Sequence, residues 1–233
     1  MLRCEDLTSV VVTAPHADDE VLGCGGLLAR LASAPTAVHV VYGAVDGFHH
    51  YGSAGGTTFT QRVAEIESVA ELFGFTWEIL YGDKGLIEQL DTVPRRDLVD
   101  GIERVCNERR PELLLVASGE DYDQDHVAMF DAVFAAARPI PEALGKRLVP
   151  HVLSYEMTKL QWASGPRSLS PAHLALTAGN LEAKLEGVRR HATQLRLRPH
   201  IRSLESVTAL AAIRGAEIGV DHAEAYGVLR TVI

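Results

Sequence analysis

The chain predicts an α/β fold, and three observations carry that prediction. Short apolar, β-branched runs recur along its 233 residues, helical stretches separate them, and polar or acidic segments gather where the runs end. Strands that are apolar on both faces belong to parallel sheets covered by helices.

The elements follow in order. Residues 10–13, Val-Val-Val-Thr, form a strand that Pro15 ends, because proline cannot donate to the ladder and forces an extended residue before it. A helix follows, with Glu20 in its first turn, where a negative charge suits the dipole. Residues 38–45 make a second strand, and residues 60–73 a helix opened by Thr60 and closed at Gly74. Residues 76–81 form a third strand, and residues 95–109 a helix stopped before Pro111. Strands at 113–117 and 152–156, helices at 127–137, 181–195 and 203–219, and a last strand at 226–232 complete the series. Strands alternating with helices imply a Rossmann-like, largely parallel sheet with helices on both faces. No repeat, low-complexity tract or linker divides the chain, so residues 1–233 are read as one domain.

Composition narrows the class. A net charge of −9 argues against nucleic acid and anionic membrane surfaces as partners. No run approaches the roughly twenty apolar residues of a membrane span. The first strand begins almost at Met1, with no room for a signal peptide, and Cys4, Cys24 and Cys106 suggest neither a disulfide framework nor a CxxC pair. The expected location is therefore the reducing cytoplasm. Cys24 lies in Gly23-Cys-Gly-Gly26, which lacks the spacing of a phosphate loop and reads as close helix–sheet packing.

The chemistry concentrates at two strand tips. His16, Asp18, Asp19 and Glu20 crowd the end of the first strand, where open α/β sheets bind ligands. Asp18 and Asp19 also suit a helix start, where carboxylates answer free backbone donors. So many acids at one tip call for a cation, and an imidazole with a carboxylate suits zinc. The segment 121–126, Asp-Tyr-Asp-Gln-Asp-His, brings His126 to another strand's carboxyl end on the same sheet edge, supplying a third donor.

Pro15-His16-Ala17-Asp18-Asp19-Glu20 resembles the Pro-His-Pro-Asp-Asp-Glu signature of the LmbE-like, or GlcNAc-phosphatidylinositol de-N-acetylase-like, zinc deacetylases. Asp125-His126 resembles the end of that family's second signature, His-Pro-Asp-His. The resemblance extends over residues 23–31, over Arg62 to Gly74 with its Arg-x-x-Glu, and over Lys184, His191, Pro199-His200, Arg202-Ser203, Arg214-Gly215 and Ala223-Glu224. It implies a hydrolase that removes an N-acetyl group from a small-molecule amino sugar or conjugate, and it admits homo-oligomers. His16, Asp19 and His126 would hold one Zn2+ per chain, with Fe2+ or another divalent ion suiting the same donors. Asp18 would be the general base, and Arg62 a substrate contact.

One departure stands out. The position of the family's oxyanion-stabilising histidine is Asp123, and an ionised carboxylate donates no hydrogen bond. His200, in a polar turn between two helices, is the candidate replacement. Asp125 is expected to orient a histidine, and Glu20 to support the site from behind. The glycine-rich connection 46–59 leaves a strand tip and reads as a substrate lid, offering Asp46, Phe48, His49 and Tyr51 to a sugar. The run Arg189, Arg190, Arg196, Arg198 and Arg202 could receive an anionic substrate group such as a nucleotide diphosphate, but reads rather as a solvated face. An amidase for another amide, or a sugar-binding protein on the same scaffold, are the alternative readings.

Overall fold

The computed structural model describes residues 3–49, 56–158 and 171–232. Seven strands make the main sheet: β1 (Ser9–Ala14), β2 (Ala37–Val45), β5 (Thr76–Gly82), β6 (Leu113–Ala117), β7 (His151–Tyr155), β8 (Pro171–Leu176) and β9 (His222–Thr231). Two short strands, β3 (Phe48–His49) and β4 (Gly56–Thr57), pair antiparallel in the connection after β2. The helices are α1 (Asp19–Leu31), α2 (Phe59–Phe73), α3 (Arg95–Arg109), α4 (Gln124–Ala136), α5 (Ala178–Arg190) and α6 (Leu204–Ala216).

The strand order is β5-β2-β1-β6-β7-β9-β8, and the first five are parallel. The connection from β1 steps outward to β2, whereas β6 lies on β1's other side. The order therefore reverses between β1 and β6, and a crevice opens there at the carboxyl ends. β9 runs antiparallel to both β7 and β8, so the sheet is largely parallel, as expected, with antiparallel pairing confined to its carboxyl-terminal edge. The strand β8 is the addition: Pro171 opens it at the sheet edge, where its missing donor is harmless.

Strand side chains alternate between two cores. Val10, Val12 and Ala14 of β1 pack with α1, α2, α5 and α6, whereas Val11 packs with α3 and α4 on the opposite face. The glycines of α1 follow from that packing. A Cβ on Gly23 would overlap the Tyr155 ring, and one on Gly25 would sit 2.7 Å from Lys184 Cγ. Tyr155 is fully buried and donates to Thr13 O at 2.9 Å, so the ring cannot yield. Behind it, Glu224 accepts from Gly26 N, Leu27 N, Tyr226 Oη and Lys184 Nζ, so this buried acid has a partner on every side.

Gly23→Ala is expected to cost about 3 kcal/mol, because overpacking forces backbone to move. Gly74→Ala, at a left-handed helix end (φ 71°) with open space around it, is expected to cost only about 1 kcal/mol. Urea unfolding of the two variants checks the contrast.

Candidate metal centre and its pocket

The turn after β1 is held in an unusual conformation. Asp18 has φ 127°, rare for any residue but glycine, and such strain of about 1–3 kcal/mol persists only where neighbours impose it. Two neighbours do. Glu20 Oε2 accepts from Asp18 N at 3.0 Å, and Arg62 Nη2 donates to Ala17 O. Although Asp18 stands at the start of α1, its side chain caps no backbone donor. Both carboxylate oxygens are buried and accept no hydrogen bond.

Three donor groups converge beside it. One donor atom each from His16, Asp19 and His126 lies within 4.8 Å of the others, and all three residues are buried. His16 Nδ1 is 3.5 Å from Asp19 Oδ2, and His126 Nε2 is 3.2 Å from the same oxygen. Two atoms each about 2.1 Å from one tetrahedral ion would lie about 3.4 Å apart, so the set fits a zinc-sized cation. The far ring nitrogens face carboxylates: His16 Nε2 is hydrogen-bonded to Asp125 Oδ2 at 2.8 Å, and His126 Nδ1 lies 3.1 Å from Asp121 Oδ2. This carboxylate–histidine arrangement is the one that fixes ring orientation in metal sites. Burial disfavours a charged His16, yet hydrogen bonds to Asp125 and Asp19, with the charges of Asp19 and Asp123, carry its pKa up to about 10. The carboxylates thus demand positive charge at this spot.

Asp125 does more than orient His16. Its Oδ2 also accepts from Glu88 N at 2.7 Å, and its Oδ1 from Leu90 N at 2.8 Å. Asp46 takes the preceding amides, those of Lys84, Gly85, Leu86 and Ile87. Two carboxylates therefore clamp the loop after β5, and Glu88 within it also has a positive φ of 61°. The pocket over the donor set is lined by His16, Asp18, Arg62, Ile87, Glu88, Asp123, Gln194 and Arg202.

Several expectations change here. Asp46 is turned to loop backbone, its two oxygens accepting from four amides, and so anchors the rim. His200 is exposed and outside the pocket lining, and its Nδ1 accepts from Arg202 N at 3.0 Å. Burial and the charges of Arg202 and Arg196 lower its pKa. The residue that this turn sends into the pocket is Arg202. The arginine run is thereby split: Arg189 pairs with Glu182 and Glu186 on a helix face, whereas Arg202 turns inward. Asp123 caps α4, accepting from Asp125 N at 3.1 Å, and its Oδ2 is 3.8 Å from His126 Nε2. Arg62 reaches the pocket wall, but donates to Glu65, Thr193 and Ala17. The side chain of His49, and Tyr51 altogether, lie outside the described residues.

Glu20 supports the turn through His191, whose Nε2 meets Glu20 Oε1 at 2.7 Å. Burial opposes charging His191, but Glu20, Glu65 and Asp18 raise its pKa from 6.5 to about 9. Because the folded value exceeds the unfolded one, this pair's stabilisation is complete below pH 6.5 and is lost as pH rises through about 9. The unfolding free energy should therefore fall across that window, and His191→Gln should lack that part of the fall. Urea titrations at several pH values measure both slopes, and identical slopes would exclude the linkage.

Comparison with known proteins identifies the family. The family profile for GlcNAc-PI de-N-acetylase (PIG-L) matches residues 11–137, more than half of the chain. An uncharacterised deacetylase of Escherichia coli K12, YaiS, is 28% identical over 143 residues, covering 58% of this chain and 71% of that one. Among solved structures, the N,N'-diacetylchitobiose deacetylase of Pyrococcus horikoshii superposes with a TM-score of 0.69 at 20% identity, over 96% of this chain and 84% of that one. GalB, the 4-carboxy-2-hydroxymuconate hydratase of Pseudomonas putida KT2440, superposes at 0.74 with 21% identity, over 97% and 98%. At those identities the superpositions speak for the fold. The family match and the two signatures on either side of the crevice together assign the chain: it belongs to the GlcNAc-PI de-N-acetylase, LmbE-like family.

Proposed function

We propose that the chain is a zinc-dependent N-deacetylase acting on an N-acetylated amino sugar or sugar conjugate. The observation that carries the reading is the pairing of a buried His-Asp-His donor set with Asp18, a buried carboxylate whose lone pairs are free. A zinc ion held by His16, Asp19 and His126 would supply a Lewis acid and make nearby water acidic near neutrality. Asp18 then takes the proton of the attacking water and returns it to the departing amine. Asp19 and Asp18 are neighbours in sequence but divide the work, since Asp19 Oδ2 sits between the two imidazoles while Asp18 opens to the pocket. Asp125 and Asp121 keep His16 and His126 in the orientation that directs one nitrogen of each toward Asp19.

The pocket lining also includes the acids Glu88 and Asp123, which suit sugar hydroxyls and an amine product. Asp123 also favours a second reading inside the same chemistry, hydrolysis of a different amide, because it alters the wall where the acyl oxygen would lie. No described helix is long and apolar enough to cross a membrane.

Metal analysis of the purified protein, with amine release from N-acetylated sugars, nucleotide sugars and larger amide conjugates, tests both readings. About one zinc per chain is expected, and Asp18→Asn should retain the metal while losing about 10²–10⁴-fold in turnover. A protein that takes up no divalent metal would end the proposal, and release only from a longer acyl amide would select the second reading. Asp121→Ala should weaken metal affinity about 10–100-fold with the fold intact, measured by competition with a chelator.

A further inference from the structure

Asp123 places a third carboxylate near Asp18 and Asp19, where the related signature carries a histidine. Like charges gathered in a buried pocket raise one another's energy, so a cation nearby must balance them. Arg202 is placed to do so. It enters from the turn before α6, and its Nε lies 3.5 Å from Asp18 Oδ2. Its Nη1 donates to Gln194 Oε1 at 2.9 Å, and its main-chain N to His200 Nδ1 at 3.0 Å, which fixes the approach of the guanidinium. Arg62 Nη2 stands 4.0 Å from the other oxygen of Asp18, but its guanidinium is committed to Ala17, Glu65 and Thr193. The charge of Asp18 is also the largest influence raising the pKa of Arg202, ahead of burial, which lowers it.

The spacing is informative. At 3.5 Å the guanidinium is close enough for its charge to be felt, yet Asp18 accepts no hydrogen bond from it. A hydrogen-bonded arginine would occupy the lone pairs that a base needs.

We propose that Arg202 is a positioning residue of this site: its guanidinium holds the Asp18 carboxylate toward the pocket by charge while leaving its lone pairs free, and it offsets the negative charge that Asp123 adds. The inference rests on the deacetylase reading, with Asp18 as base. Arginine suits the position better than lysine, because its charge is permanent and its planar group is fixed through Gln194 at one edge while another edge faces Asp18.

Arg202→Ala, Arg202→Lys and Asp18→Asn are compared with wild type on N-acetylglucosamine and N,N'-diacetylchitobiose, with kcat and KM determined separately. Metal content and urea unfolding midpoint are measured on the same preparations. Arg202→Ala is expected to lose about 10–100-fold in kcat with KM and metal content little changed. Lysine should restore part of the loss, and guanidinium ion added below denaturing concentrations should raise kcat of the alanine variant without raising its unfolding midpoint. Wild-type kcat in Arg202→Ala beside an inactive Asp18→Asn would overturn the assignment of Arg202 alone. Loss of kcat that follows loss of metal or stability, with no rescue, would also overturn it, since that is the behaviour of a purely structural arginine. A fully active Asp18→Asn, or a wild type inert on these two sugars and on every nucleotide sugar and amide conjugate of the wider panel, would remove the underlying reading and this inference with it; activity on another panel member moves the same comparison to that substrate.

Discussion

Burial of carboxylates at one edge of the sheet is the constraint on which the rest of the molecule depends. Asp18, Asp19, Glu20, Asp46 and Asp125 are all nearly inaccessible, and an ionised acid out of water is costly unless something nearby answers it. Each is answered differently. Asp46 and Asp125 are met by the backbone amides of one loop, and Glu20 by a protonated His191 and the strained amide of Asp18. Asp19 is met by two imidazoles and Asp18 by charge at a distance. The crevice between β1 and β6 makes this possible, because two strand ends and the starts of α1 and α4 meet there. The acids that are fully hydrogen-bonded build the scaffold, and the one left open faces the pocket.

The sheet and the meeting of residues 16, 19 and 126 are legible in the sequence, because both depend on local pattern. Val10 to Thr13 and Leu113 to Leu115 are apolar on both faces, and the polar residues just after such strands must lie on one edge of a parallel sheet. Glycines 23 and 26 read correctly for the same reason, since a helix that lies flat on a sheet needs small residues there, whereas Gly25 makes room for Lys184 of α5. What escapes the sequence is direction. Whether the turn 197–203 presents His200 or Arg202 inward depends on how the main chain is folded against His200 Nδ1, and no spacing rule encodes that. The anchoring by Asp46 escapes the sequence too, because its partners are backbone amides, which leave no residue-type signature. Asp121 stands within the very segment that ends in His126, but only the folded loop shows that it reaches the ring. The antiparallel sense of β9 is likewise a tertiary fact: its continuous run of buried residues, 223–227, fits either direction.

The family assignment and the architecture point the same way without being the same argument. A fold shared with an N-deacetylase and with a hydratase leaves the reaction to the side chains. In the proposed reading those side chains are His16, Asp18, Asp19 and His126, backed by Asp121 and Asp125, with a pocket lining that departs from the related signature at one position, an acid at 123, and that also holds Arg202.

One oxygen of Asp125 is shared between the ring of His16 and the amide of Glu88. A shared acceptor makes its two donors thermodynamically dependent: whatever changes the charge on His16 changes how firmly the rim loop is held, and whatever moves the rim changes the basicity of His16. The coupling is reciprocal by necessity, so a molecule seated against Glu88 and an ion seated against His16 influence each other's affinity through a single atom. The floor and the rim of the pocket are in that sense one device.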